Sequence, residues 1–145
     1  SLTKNEKKVL SILIDDAKIS DSEIASRIKI SPQGVRKIRK KLEEEYIKEY
    51  RTIVDYEKIG IRVFAIAQIK VLNRDVLDDR HIIGAFEVNE ADVTHIMVLG
   101  FGSLEELDAY KMSIVKHAEI RKINVISKMG FLKNSPVELI KGNLK

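Results

Sequence analysis

The chain contains no cysteine, and that absence removes several kinds of chemistry together. A disulfide framework, a thiolate metal site and a cysteine nucleophile are all excluded. Histidine is scarce: His81, His95 and His117 are widely spaced, which weakens most enzyme readings. Long apolar runs are missing too. None approaches the roughly 20 residues needed to span a bilayer, and the N-terminal residues lack the pattern of a signal peptide, so the expected location is the cytoplasm. Tryptophan is also absent while Lys, Ile and Glu are abundant, a composition that leans toward a thermophilic source. The last absence is local. From Ile24 through Leu42 the chain holds no acid at all, yet it carries Arg27, Lys29, Arg36, Lys37, Arg39, Lys40 and Lys41.

At 145 residues and 44% hydrophobic, the chain is long enough to bury a core as one unit or two small ones. A net charge of +4 is modest for 33% charged residues, so the basic character informs through its placement. The placement centres on SPQGVRKIRKKL, from Ser31 to Leu42. Ser31 is suited to cap a helix, and Pro32 to its first position, where a missing N–H costs nothing. At about 100° per residue, Val35, Ile38 and Leu42 share one face while Gln33, Arg36, Lys37 and Lys40 point the opposite way. One side packs inward and the other presents a field suited to a polyanion, on a helix that fits DNA's major groove. A lysine-rich face is also what an ordinary solvated helix carries, so the flanking sequence has to decide.

Thr3 and Glu6 have capping-box spacing, and Val9, Leu10, Leu13, Ile14 and Ala17 recur at helical intervals, predicting a helix from Lys4 to Asp16. Ser20 and Glu23 repeat the box, with Ile19 and Ile24 placed as a hydrophobic staple, predicting a short helix through Ile28. Only Lys29 and Ile30 then precede Ser31. Two helices joined by so short a turn, the second basic, after a packed supporting helix, read as a helix-turn-helix unit. Ile47 to Val54 predicts a strand or wing, and Asp55 to Gly60 a hinge turn, placing a boundary near Gly60. Strands follow at Val63–Leu72, Ile82–Val88 and Val93–Phe101, the last two joined by the polar link Asn89-Glu90-Ala91-Asp92. A capping box at Ser103 and Glu106 opens a helix to His117, and strands are predicted at Ile120–Met129 and Val137–Ile140.

The segment LTKNEKKVLSILIDDAKISDSEIASRIKISPQGVRKIRKKLEEEYI resembles the N-terminal domain of the Lrp/AsnC, or feast/famine, transcriptional regulators. Two details depart from that pattern. Lys29 stands where the turn generally has Gly, and Tyr46 where a Gly usually closes the recognition helix. The order of the later elements resembles the βαββαβ ferredoxin-like domain of the same family, which binds small molecules and assembles subunits. There the departures are larger: Asn73 to His81 is too short for a full first helix, with at most two turns. The family's Gly-x-x-Asp becomes Asn89-Glu90-Ala91-Asp92, with Asn the next-best residue for a left-handed turn. The resemblance implies an α+β protein, residues 1–60 forming a helix-turn-helix (winged) domain and 61–145 a ferredoxin-like domain.

The function implied is that of a prokaryotic sequence-specific DNA-binding regulator, a homodimer or larger assembly on pseudo-palindromic duplex DNA, with an amino acid as possible effector. Gln33, Arg36, Lys37 and Lys40 are the candidates for the groove, with Ser31 at the helix start; Arg27, Lys29, Arg39 and Lys41, on the flanks, are candidates for phosphates. Arg and Lys read guanine, and Gln reads adenine. For Asn89, Glu90 and Asp92 the resemblance implies an effector pocket between subunits; as residues alone they read more plainly as a turn with solvated acids. His95 on an alternating strand reads as a packed or interface residue. No catalytic residue, metal or cofactor is expected. The alternative is a tetrapyrrole decarboxylase subunit of the sirohaem type, which resembles the same two-domain fold but needs no basic recognition helix. A helix-turn-helix that serves only contacts between proteins is a third possibility.

Overall fold

The caps written in the sequence set the first three helices. In the computed structural model, which describes residues 1–127 and 135–145, α1 spans Lys4–Asp15, α2 Asp21–Ile28 and α3 Pro32–Glu45. Thr3 closes a full capping box, its hydroxyl accepting from the Glu6 N–H at 3.2 Å while the Glu6 carboxylate accepts from the Thr3 N–H at 3.3 Å. The second box forms only by half. Ser20 accepts from the Glu23 N–H, but the Glu23 carboxylate turns to Arg27, one helical turn on, at 3.1 Å. Ser31 accepts from the Gly34 N–H at 3.0 Å with Pro32 at the first helical position. Val9, Leu13, Ile19, Ile24, Ala25, Val35 and Leu42 form the buried core these helices share.

The structure departs from the expected elements at three places. Ile47 to Val54 forms no strand: it has no regular secondary structure and pairs with no strand among the described residues, so its β-formers have no ladder there to complete. Val137 to Ile140 is not a strand: Val137–Asn143 is a short helix, α5, begun after Pro136. Its apolar residues Val137, Ile140 and Leu144 recur three and four apart, and Glu138 near its start and Lys141 near its end suit the helix dipole. Asn73 to His81, expected to hold at most two turns, does form a shortened element, the 3₁₀ helix Arg74–Asp78, whose buried residue is Val76. Asn89 does not take the left-handed conformation its motif suggested; Lys29 is the non-glycine residue that does, among the described residues.

The second unit is a four-stranded antiparallel sheet of β1 (Val63–Val71), β2 (Ile82–Glu87), β3 (His95–Phe101) and β4 (Ala118–Val125), with α4 (Leu104–Ile114) between β3 and β4 in the chain. Its strands lie in the order β2-β3-β1-β4. The first three begin and end within two residues of expectation, and the fourth begins two residues early and ends at Val125; its expected end, Met129, lies outside the described residues. Period-2 alternation sends Ala65, Ala67, Ile69, Met97, Leu99 and Phe101 to one face, where Leu107, Tyr110 and Ile114 of α4 cover them. Ser103 caps α4, and the Glu106 carboxylate accepts from the Gly102 N–H at 2.8 Å, one residue before the cap, which holds that carboxyl below its ordinary range. By compactness the chain divides after Ile53, and α5 belongs with the three N-terminal helices. No helix among the described residues is long and apolar enough to cross a membrane.

Candidate nucleic-acid interface

The periodicity of α3 sorts its cations into two groups. Gln33, Arg36, Lys37 and Lys40 are exposed along one side, opposite the fully buried Val35 and Leu42. At 1.5 Å per residue, the four span about 10 Å of helix, comparable to the roughly 12 Å width of a B-DNA major groove. Arg36 makes only a loose ion contact to Asp21, 3.9 Å away, and keeps three-quarters of its side chain in solvent. Its guanidinium is free to turn outward.

Arg39 and Lys41 belong to the other group. At about 100° per residue they lie roughly 65° and 95° from the centre of the apolar face, the margin where a long side chain lays its stem on the core. Arg39 reaches back to α2, with Nε 2.9 Å from the Asp21 carboxylate in a geometry that makes an ion contact, and Nη2 donating to the Ile19 carbonyl at 2.6 Å. Lys41 donates to both carboxylate oxygens of the buried Glu6, at 3.0 and 2.9 Å. The ammonium holds the Glu6 carboxyl below its ordinary range, and the carboxylate raises Lys41 above its own. Both cations tie α3 to the helices beneath it. These ties were missed in the sequence, although an acid and a cation at the margins of two packed helices are the signal for them.

The remaining candidates lie at the turn. Arg27 is exposed and paired to Glu23, and Lys29 closes α2 at φ 59°, ψ 50°, its N–H donating to the Ala25 carbonyl. Ser31 spends its hydroxyl on the Gly34 N–H. Arg27 and Lys29 are both exposed, and only Ile30 separates Lys29 from the cap of α3.

In the second unit, Asn89, Glu90 and Asp92 are exposed on the loop that joins β2 to β3 as a hairpin, closed by Val88 N–H to Thr94 O at 2.9 Å. The Asp92 carbonyl accepts from Arg121 of β4 at 3.2 Å, which anchors the loop by its backbone and leaves its carboxylates in solvent. His95 is buried, its Nδ1 2.8 Å from the Thr94 hydroxyl, and that hydroxyl accepts from the Val71 N–H at 2.8 Å. This is a packed histidine. His81, stacked on Phe101 with ring centres 4.9 Å apart and 2.7 Å from Asp79, is likewise part of the sheet's packing.

Comparison with known proteins follows the same division. A family described as winged helix-turn-helix DNA-binding matches residues 2–45. An HTH-type transcriptional regulator of Pyrococcus furiosus is 28% identical over 128 residues, covering 82% of this chain and 85% of that protein. Among solved structures, LrpC of Bacillus subtilis superposes with a TM-score of 0.80 at 22% identity, over 93% of this chain and 98% of that one. A transcriptional regulator of Neisseria meningitidis in complex with L-Met gives 0.79 at 14% identity, over 93% and 94%. The expected α+β architecture, a helix-turn-helix followed by a ferredoxin-like sheet, is borne out. The decarboxylase alternative draws no support from these likenesses.

Proposed function

We propose that this chain, a transcriptional regulator of the Lrp/AsnC type, reads a specific duplex sequence with the outer face of α3. Gln33 and Arg36, on the first turns, contact base edges; Lys37 and Lys40 follow in the groove. Arg27, Lys29 and the Ser31 backbone meet phosphates and set the register. The observation that carries this reading is the sorting of α3 itself: the residues on its outer edge are solvated, Arg36 with no more than its loose contact to Asp21, while Arg39 and Lys41 are held by Asp21, Ile19 and Glu6. Those two cations accordingly orient the helix and do not touch DNA. Residues 1–60 serve as the reader and 61–145, apart from α5, as the part that pairs subunits on a pseudo-palindromic site.

The loop at Asn89, Glu90 and Asp92 is proposed as the edge of an effector pocket completed by a neighbouring subunit. The structural neighbour bound to L-Met supports an amino acid as the effector class. Nothing in the reading assigns a reaction to the chain.

Binding titrations on a selected duplex and on a random one test the reader. Gln33→Ala and Arg36→Ala should each cost roughly 1 to 3 kcal/mol on the selected site and less on random DNA, so that the two affinities converge. Neither side chain supports the core, so unfolding free energy should move by no more than about 0.5 kcal/mol. Equal losses on both duplexes would reassign the two residues to the phosphate backbone.

A further inference from the structure

The charges of α1 run against its dipole. Lys4, Lys7 and Lys8 fall within its first five residues and Asp15 is its last, although a helix favours acids at its start and cations at its end. Lys4 is also three and four residues from Lys7 and Lys8, spacings at which like charges repel. The first-turn acid Glu6 accepts from the Thr3 N–H and pairs with Lys41, and forms no ion pair with these three lysines. Lys4, Lys7 and Lys8 have no ion-pair partner among the described residues. Three lysines gathered on one turn, with no ion-pair partner among the described residues, point to an anion from outside the chain.

These lysines line an open groove of about 700 Å³ between α1, the end of α2 and α5. Arg27, Lys141 and Lys145 complete its cationic rim, and no Asp or Glu is among the residues that line it. Arg27 is held by Glu23 and Lys141 by Asp15. The floor is different in kind: Ile12, Ile28 and Leu144, half-buried, give it an apolar surface. The volume falls in the range of small-molecule sites, about 300 to 1,000 Å³.

We propose that this groove binds a nucleoside polyphosphate, its phosphates held by Lys4, Lys7, Lys8 and Lys145 and its ring laid on Ile12, Ile28 and Leu144. Cations gathered round an apolar floor match a ligand that carries several negative charges at one end and a flat ring at the other. A duplex backbone supplies only the charges and has no use for the floor. Apart from Arg27, the groove shares no residue with the proposed reading face, so the site stands or falls independently of DNA recognition.

Titration of the full chain with a fluorescent N-methylanthraniloyl ATP, competed by ATP, by tripolyphosphate and by adenosine, tests it without DNA. Saturable binding to one site per chain is expected, with ATP displacing the probe better than tripolyphosphate and adenosine displacing it poorly. The double substitution Lys4→Gln, Lys8→Gln should weaken the probe at least about tenfold, the loss of one strong charge-assisted contact. Its melting temperature should hold or rise, since the repulsion is relieved. Leu144→Ser, on the floor, should weaken ATP and leave tripolyphosphate unchanged. The proposal fails if tripolyphosphate competes as well as ATP and Leu144→Ser changes neither, because the lysines would then be an unspecific polyanion surface. It fails equally if no saturable binding is seen, or if the lysine variant keeps ATP and instead loses affinity for random duplex.

Discussion

Lys29 occupies a backbone conformation that glycine adopts without strain. At φ 59° its Cβ crowds the carbonyl oxygen, yet the turn from α2 into α3 demands that geometry. The sequence shows why the position was informative: a Gly usually stands there in the resembling family, and Lys29 took the left-handed conformation all the same. Tyr46, the other departure, did not; its φ is −123°, and α3 ends with the Tyr46 and Ile47 N–H groups both donating to the Leu42 carbonyl, at 2.8 and 2.7 Å. If Lys29 is kept for a phosphate, stability and function should separate when it is replaced. Lys29→Gly should raise unfolding free energy by up to about 1 kcal/mol, the relief of strain exceeding the added unfolded-state entropy. It should also weaken binding to selected and random duplexes alike and flatten the salt dependence, with a log-log slope smaller by up to about 1. Denaturant melts and titrations over a range of salt measure both; a stabilised protein with unchanged DNA affinity would leave Lys29 as a strained turn residue only.

Among the elements, α1 and α3 are joined by the Lys41–Glu6 pair, and its linkage to pH has a definite sign. Glu6 titrates below its ordinary 4.5 in the folded protein, first because Lys41 donates to it. Its contribution is therefore complete above pH 4.5 and is lost as pH falls through the lowered folded value. Lys41 titrates above its ordinary 10.5, first because of Glu6, so its share is complete below pH 10.5 and lost as pH rises through the raised value. Lys41→Met keeps the stem and removes the charge. The variant should be less stable than wild type at pH 7, with the gap narrowing below pH 4.5 as Glu6 becomes protonated in both. Urea melts across pH 3 to 7 would show this; a gap independent of pH would mean the loss is one of packing. The elements that sequence reasoning placed well are those with a cap and a long apolar stripe: α1, α2, α3 and α4. Those it misplaced were short. Val137–Asn143 offers too few residues to separate a helical period from a strand's, and Ile47 to Val54 has strand-forming residues without a partner strand among the described residues. The candidate reading face was legible because α3 has a strong period; the ties of Arg39 and Lys41 were not, since they depend on which acids of α1 and α2 come to lie beneath them.

For the whole molecule, the covered face of the sheet is only half the story. Its register sets Phe64 beside Gly100, Ile66 beside Val98, and Phe86 beside Ile96, so these residues share the face that α4 does not cover. Ile66 is 42% exposed and Phe86 60%. Gly100 is fitted to this surface: a Cβ there would meet Ile83 at 3.0 Å and Ile61 at 3.3 Å, so its lack of a side chain lets the apolar cover lie close. A contiguous apolar patch of this kind marks an interaction surface, and a self-complementary one pairs two copies about a two-fold axis. That symmetry is what the proposed regulator needs to place two reading helices on half-sites one helical turn, or a multiple, apart. Ile66→Asp puts a charge in the middle of the patch, where a monomer can solvate it and a dimer cannot. Light scattering should show the wild type as a dimer or larger and the variant shifted toward monomer, while its circular dichroism stays native. On a two-half-site duplex the variant should bind far more weakly, and on an isolated half-site about as the wild type does. A variant that keeps its mass would show that the sheet face is not the pairing surface. One that loses mass but still protects both half-sites with full affinity would show that pairing of this face is not needed for recognition.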